Sequence, residues 1–371
     1  MSALPTTPTR SSDAGCKRPF NEHRYTGSPE HELAMDCPKL ALSCRVGDIR
    51  LICIRSGGSV LDPLKQAVQA YASRNANCDG VAMTPVPGLM MKCVTSPGRN
   101  LHAVSRPMIC LVLQGAKRML VGREEQVFSA GQSLILGADL PTVSCVLRAN
   151  SREPYLAIAI ELEMSILRQL AAQLSHERPQ AQPRARTLFT EDSEVAALDC
   201  ASRLTRLIDR PEAIPLLRPG IVQELHYWLL SGQHGAALQS IADPTSYASR
   251  LGAALAILRA EYRSRIPVER LAAAAGMSLT AFHRHFKHMT SVTPGQYQKR
   301  LRLIEARRLM LEEGYSASSS AFDVGYESVS QFTREYRRLF QEPPKRDALR
   351  MRSKSREPNE QVEANRHARL A

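Results

Sequence analysis

Aromatic residues are scarce in this chain of 371 residues, at 5 % with a single tryptophan, so its cores must be built mainly from aliphatic side chains. No apolar run approaches the roughly 18 residues that a membrane helix needs, and the N-terminus lacks the apolar stretch of a secretory signal. No membrane partner is therefore expected, and the cytoplasm is the expected compartment. The nine cysteines (Cys16, Cys37, Cys44, Cys53, Cys78, Cys93, Cys110, Cys145 and Cys200) are scattered, without a Cys-x-x-Cys pair. That spacing argues against a zinc ribbon or a disulfide framework. Most read as small buried hydrophobes, with Cys110 and Cys145 as candidate sensor thiols. Ser56-Gly57-Gly58-Ser59 lacks the Gly-Lys-Ser/Thr ending of a phosphate loop, so nucleotide binding has no support.

What the chain does have is a pattern written twice. Its first copy runs Ala272, Gly276, Ser278, Phe282, Arg284, Phe286, Lys287; its second runs Ala321, Gly325, Ser328, Phe332, Arg334, Tyr336, Arg337. In each copy a glycine ends one helix, where positive φ is cheap, and a serine caps the next. Phe282, Phe286 and Met289 form one apolar face of the first second-helix; Phe332, Tyr336 and Leu339 do so in the second. Thr280, His283, Arg284 and Lys287, and likewise Ser330, Gln331, Arg334 and Arg337, fall on other faces. A helix docked by one side and polar on the other fits the major groove of B-DNA. His283 and His285 lie two apart and point to different helix faces, which disfavours a metal site.

Between the copies, Pro294 to Leu311 is predicted as one helix, with Pro294 near its start, where a missing N–H costs little. Eighteen residues span about 27 Å, close to the roughly 34 Å of one DNA turn. Lys299, Arg300, Arg302, Arg307 and Arg308 coat this rod. Residues 250–371 hold 23 Lys/Arg against 13 Asp/Glu, net +10 of the whole chain's +13. A basic excess concentrated on the repeat is the footprint of a phosphate-binding surface.

The strings LAAAAGMSLTAFHRHFKHMTSVTPGQYQKRLRLIEARRLM and AFDVGYESVSQFTREYRRLFQEPPKR resemble the DNA-binding domain of AraC/XylS-type transcriptional regulators. The resemblance implies seven helices and two recognition helices that bind an asymmetric site on one face of the duplex. Carried over by position, the base-reading residues are Thr280, His283, Arg284, Ser330, Gln331 and Arg334. Lys287, Lys299, Arg300 and Arg337 are candidate phosphate contacts. The family usually places Gly after each recognition helix, where this chain has Ser291 and Gln341; a side chain at positive φ there would cost on the order of 1 kcal/mol.

Toward the N-terminus, brief apolar runs (Leu89–Val94, Met108–Leu113, Arg118–Val121, Ser133–Leu136, Thr142–Leu147 and Tyr155–Leu162) are punctuated by Gly115, Gly122, Gly131, Gly137 and Pro141. Such spacing predicts a barrel or sandwich. This segment is similar to the N-terminal domain of one AraC-type subgroup, which implies a cupin-like fold, a small effector or dimer contacts. His102 stands alone, without the His-x-His, Glu and later His of metal-binding cupins, so neither metal nor other cofactor is implied. Lys117, Arg118 and Arg123 flank Gly122 and are expected to form an exposed hairpin cluster rather than to meet an anion inside the barrel.

The expected architecture is multidomain. A disordered tail (1–45) precedes a β-rich cupin-like barrel (46–160), a helical sensor or dimerisation segment (161–240) and a linker (241–249). An all-α domain with two helix-turn-helix units joined by a long helix (250–350) and a basic tail (351–371) follow. The expected function is a sequence-specific transcription regulator, not an enzyme, and more often an activator in the family. It would answer an effector or a thiol-reactive signal, with double-stranded DNA, RNA polymerase, a small effector and a second copy of the chain as partners. A cupin metal enzyme fused to a DNA-binding domain and an architectural DNA binder without a sensor are the rival readings.

Overall fold

The computed structural model describes residues 61–122, 124–174 and 187–351; the tail expected at 1–45, all but the first residue of the tail expected at 351–371, and Arg123 lie outside them. The chain enters through helix α1 (Leu61–Asn75) and strands β1 (Val81–Met83) and β2 (Leu89–Val94). Strands β3 (Leu101–Ser105), β4 (Met108–Gln114), β5 (Ala116–Val121), β6 (Glu124–Ser129), β7 (Gln132–Leu136), β8 (Leu140–Arg148) and β9 (Tyr155–Glu161) follow. Helix α2 (Met164–Leu174), strand β10 (Leu188–Asp192) and helices α3 (Val195–Arg206), α4 (Ile214–Ser231) and α5 (Gly235–Ala242) complete the N-terminal part.

Two antiparallel sheets, ordered β1-β2-β9-β4-β7-β10 and β3-β8-β5-β6, face each other. Period-2 alternation sorts the side chains. Ile109, Leu111 and Leu113 of β4 and Leu156, Ile158 and Ile160 of β9 turn outward and pack with Leu198, Leu204, Leu225 and Leu229 of the helices. Cys110, Val112, Tyr155 and Ala157 turn inward against Met119, Phe128 and Val146 of the second sheet. The segment expected to be wholly helical after residue 161 is corrected by β10, which pairs with β7 in antiparallel register from Leu188↔Leu136 to Asp192↔Gln132. The hairpin cluster is corrected too. Lys117 stands opposite Phe128, inside the barrel, and is only 8 % exposed. Its neighbour Arg118 points outward, toward Glu125.

Only residues 243–246 separate α5 from the next helix. Asp243 Oδ1 accepts from the Thr245 amide there, and Ser246 caps helix α6 (Tyr247–Ala260) by accepting from Ser249 N. Helices α7 (Val268–Ala274), α8 (Leu279–Thr290), α9 (Pro294–Glu312), α10 (Ala317–Asp323) and α11 (Val329–Phe340) follow. Residues 344–351 are helical as well, which brings this part to seven helices. It has two small cores, one around Leu255, Leu271, Phe282, Phe286 and Tyr297, the other around Leu303, Leu309, Tyr326, Phe332 and Tyr336.

Candidate nucleic-acid interface

Both α8 and α11 begin on the predicted serine caps, with Ser278 Oγ accepting from Ala281 N and Ser328 Oγ from Gln331 N. Gly276 and Gly325 hold positive φ, at 59° and 88°. A Cβ on Gly325 would collide with the backbone of Arg263, so the second turn needs glycine for space as well as for dihedral angle. Phe282, Phe286, Phe332 and Tyr336 are fully buried, which fixes the rotation of each helix. Thr280, His283, Arg284 and Lys287 are consequently exposed on α8, as are Ser330, Gln331, Arg334 and Arg337 on α11. Ser330, Arg334 and Arg337 line an open hollow with Val329 and Thr333.

Helix α9 separates the two units. Thr293 and Gln296 form a reciprocal capping box at its start, with Pro294 at its first turn. Its 19 residues give about 28 Å. Of the two α9 cations expected at phosphates, Lys299 is exposed and Arg300 half-buried. Lys299 donates to Glu335 Oε1 at 2.8 Å. Burial opposes ionisation of the Glu335 carboxyl, but Lys299, Tyr326 and Gln331 together outweigh it and hold the group below the usual carboxylate range. Arg300 is half-buried, and its charge disfavours protonation of His102 on β3.

The other cations of α9 are structural in the same sense. Arg302 donates to the carbonyls of Tyr262 and Gly325 at 2.6 and 2.8 Å, tying α6 to the second turn. Arg308 pairs with Glu305 and Glu313. Arg307 reaches Asp347 at 2.9 Å and Asp79, just before β1, at 3.0 Å. Several cations of this region are thus held by acids or carbonyls inside the fold. Arg284, Lys287, Arg334 and Arg337 make no ion pair among the described residues and stand on the two exposed faces.

Sequence reasoning missed the seam between the β-rich and the helical parts. Besides Arg307–Asp79, it holds an Arg259–Asp139 ion pair, Asn77 donating to Glu312 at 2.9 Å and Arg99 beside Glu342 at 3.5 Å. His102 meets Phe340 edge-on, and Met289 packs against both the barrel core and the first reader core. Inward-facing acids on a loop carry no sequence signal of their own partner.

A β-rich domain leading into two capped, rigidly spaced helix-turn-helix units defines the class: a two-domain protein of the transcription-regulator type. A family model described as the AraC-type transcriptional regulator N-terminus matches residues 85–237, and one described as a helix-turn-helix domain matches residues 271–348. Over these two stretches the chain is similar to the AraC-type regulators. It is 33 % identical over 112 residues to the HTH-type transcriptional activator RhaS of Klebsiella pneumoniae (strain 342), covering 29 % of this chain and 40 % of that protein. To RhaS of Escherichia coli O139:H28 it is 34 % identical over 98 residues, 26 % of this chain and 35 % of that one. The chain thus spans well under half the length of these relatives. An apo ToxT structure from Vibrio cholerae shares the fold at TM-score 0.51 and 9 % identity, over 71 % of this chain and 97 % of that one.

Proposed function

We propose that this protein is a sequence-specific DNA-binding transcription regulator whose N-terminal domain senses a small effector. The observation that carries the reading is the pair of exposed polar faces, one on α8 and one on α11, held at the two ends of α9. Thr280, His283 and Arg284 read bases in one major-groove segment; Ser330, Gln331 and Arg334 read them in the next; Lys287 and Arg337 contact phosphates. Because the two polar sets differ, the site is non-palindromic. Activation, through RNA polymerase, is the sign the RhaS likeness favours. A second copy of the chain and a cytoplasmic location complete the proposal.

Footprinting of the full chain on genomic fragments tests it. The expected result is a protected, asymmetric stretch across two successive major-groove segments that survives excess competitor DNA. Protection lost equally on all sequences would instead indicate an architectural binder.

A further inference from the structure

The barrel interior holds an unusual set of polar groups. Lys92 on β2 shares its inward face with Val94, while Leu89 and Met91 alternate outward to the helices. Lys117 on β5 alternates inward with Met119 and Val121. Cys110 of β4 and Tyr155 of β9 turn into the same space. Lys117 is 8 % exposed and Tyr155 is wholly buried. The only polar neighbour of the Tyr155 hydroxyl among the described residues is the Cys110 thiol, and neither lysine has an ion-pair partner there. The acid that acts on Lys92, Asp79, is already held by Arg307.

A buried lysine, a second half-buried one beside it and a phenol whose only polar neighbour is a thiol are costly unless something compensates them. Without a counter-charge, lysine yields its proton. Burial lowers Lys92 to about 7, the charge of Lys117 adding to the effect and Asp79 and Cys110 opposing it. Burial likewise lowers Lys117, against the pull of Cys110. The thiol of Cys110 and the phenol of Tyr155 are both raised by burial, so neither supplies an anion at neutral pH.

We propose that this interior binds a small organic monoanion, one carboxylate on an apolar body. The carboxylate lies between Lys92 and Lys117 and accepts a hydrogen bond from the Tyr155 hydroxyl; the body packs on Val112, Met119 and Ala157. This rests on the reading of the N-terminal domain as an effector sensor and gives that effector a chemical class. An anion restores the proton to Lys92, so binding takes up protons and tightens as pH falls from 8.5 to 6.5, where a carboxylate stays ionised. With Lys92 titrating near 7 in the free protein, affinity should be about 20-fold higher at pH 6.5 than at 8.5.

Thermal melting and calorimetric titration of the full chain test this with benzoate and cyclohexanecarboxylate, their neutral amides, and inorganic phosphate. At least one carboxylate should bind with the stated pH dependence, its amide should not, and phosphate should not, having no apolar body. Lys92→Met and Lys117→Met should each abolish binding while melting no lower than wild type, since each replaces a buried unpaired amine by an apolar chain. The proposal is overturned if neither carboxylate binds, if amide or phosphate binds as well, or if binding survives both substitutions. DNA footprinting of the same preparations separates the two levels: protein that still protects its site without binding either acid sinks the anion site alone.

Discussion

Ser291 and Gln341 sit immediately after α8 and α11 at φ 60° and 61°, the left-handed region that favours glycine. Each closes its helix by donating its amide, to Lys287 O at 2.8 Å and to Arg337 O at 2.9 Å, so the geometry is demanded by the cap and not by the side chain. Gln341→Gly should therefore stabilise the protein by about 0.5 kcal/mol, the strain of a side chain at this φ less the entropy glycine gains when unfolded. Chemical denaturation checks it; an unchanged midpoint would mean that the Gln341 Nε2 bond to Arg338 O offsets the strain. A second residue ties the molecule to pH. His226 is fully buried; its Nε2 accepts from the Glu163 amide at 2.8 Å, and its Nδ1 lies 2.7 Å from Val222 O. That tautomer is neutral, and burial lowers the imidazole below its ordinary 6.5, against the opposing pull of Val222 O and Glu163. The unfolded chain then binds the proton first, so this stability is complete above about pH 6.5 and is lost as pH falls below it. Melting curves between pH 5 and 7.5 should show the loss, and His226→Gln should flatten it.

At the scale of the element, α8 and α11 differ in what surrounds the arginine each presents. Arg284 lies 3.2 Å from the ring of His285, which itself stacks on Tyr247 at 3.8 Å, whereas Arg334 lines the open hollow of α11. If each reads a base, Arg284→Ala and Arg334→Ala should each weaken the specific site by about 1 to 3 kcal/mol and relax preference at one position. Lys287→Ala should weaken all sequences alike and reduce the salt dependence by about one ion. Competition binding at two salt concentrations distinguishes these outcomes. The two units were legible because capping serines, turn glycines and apolar spacing are local signals. Strands β4 and β9 were legible because their apolar runs are buried on both faces, and β2 because buried Leu89 and Met91 alternate on one face. Strand β6 was not, since only Phe128 of its six residues is buried. Nor was β10, whose pairing with β7 is decided by a partner some 50 residues away. Lys117 was misread because a lysine beside a turn glycine is ordinarily solvated; only alternation with Met119 and Val121 marks it as inward. Lys299 and Arg300 look like any surface cations until Glu335 and β3 are brought to them by the fold.

For the whole molecule, the consequence is that α9 serves two masters. It spaces the readers, and through Arg307 it touches the N-terminal domain at Asp79 while Asp347 and Tyr336 bind it to the second unit. Burial opposes the Arg307 charge, but Asp79 and Asp347 outweigh it and hold the guanidinium firmly protonated. The barrel is thereby adjacent to the element that sets the distance between the two polar faces. The seam is polar and part-exposed, with side-chain exposures of 14 % and 22 % for Arg307–Asp79 and 27 % and 24 % for Arg259–Asp139, so each pair contributes only about 1 kcal/mol of coupling. Asp79→Asn combined with Asp139→Asn should leave both cores intact, because Arg307 keeps Asp347 and Arg259 is solvated. Calorimetry of the full chain should then show the helical part melting in a separate, earlier step where the wild type melts as one unit. Limited proteolysis should cut faster within residues 243–246, the only non-helical stretch between α5 and α6. A double variant with one unchanged transition and unchanged cleavage would mean that the remaining contacts, Asn77–Glu312, Arg99–Glu342, His102–Phe340 and the apolar ones of Met289 and Val104, hold the seam.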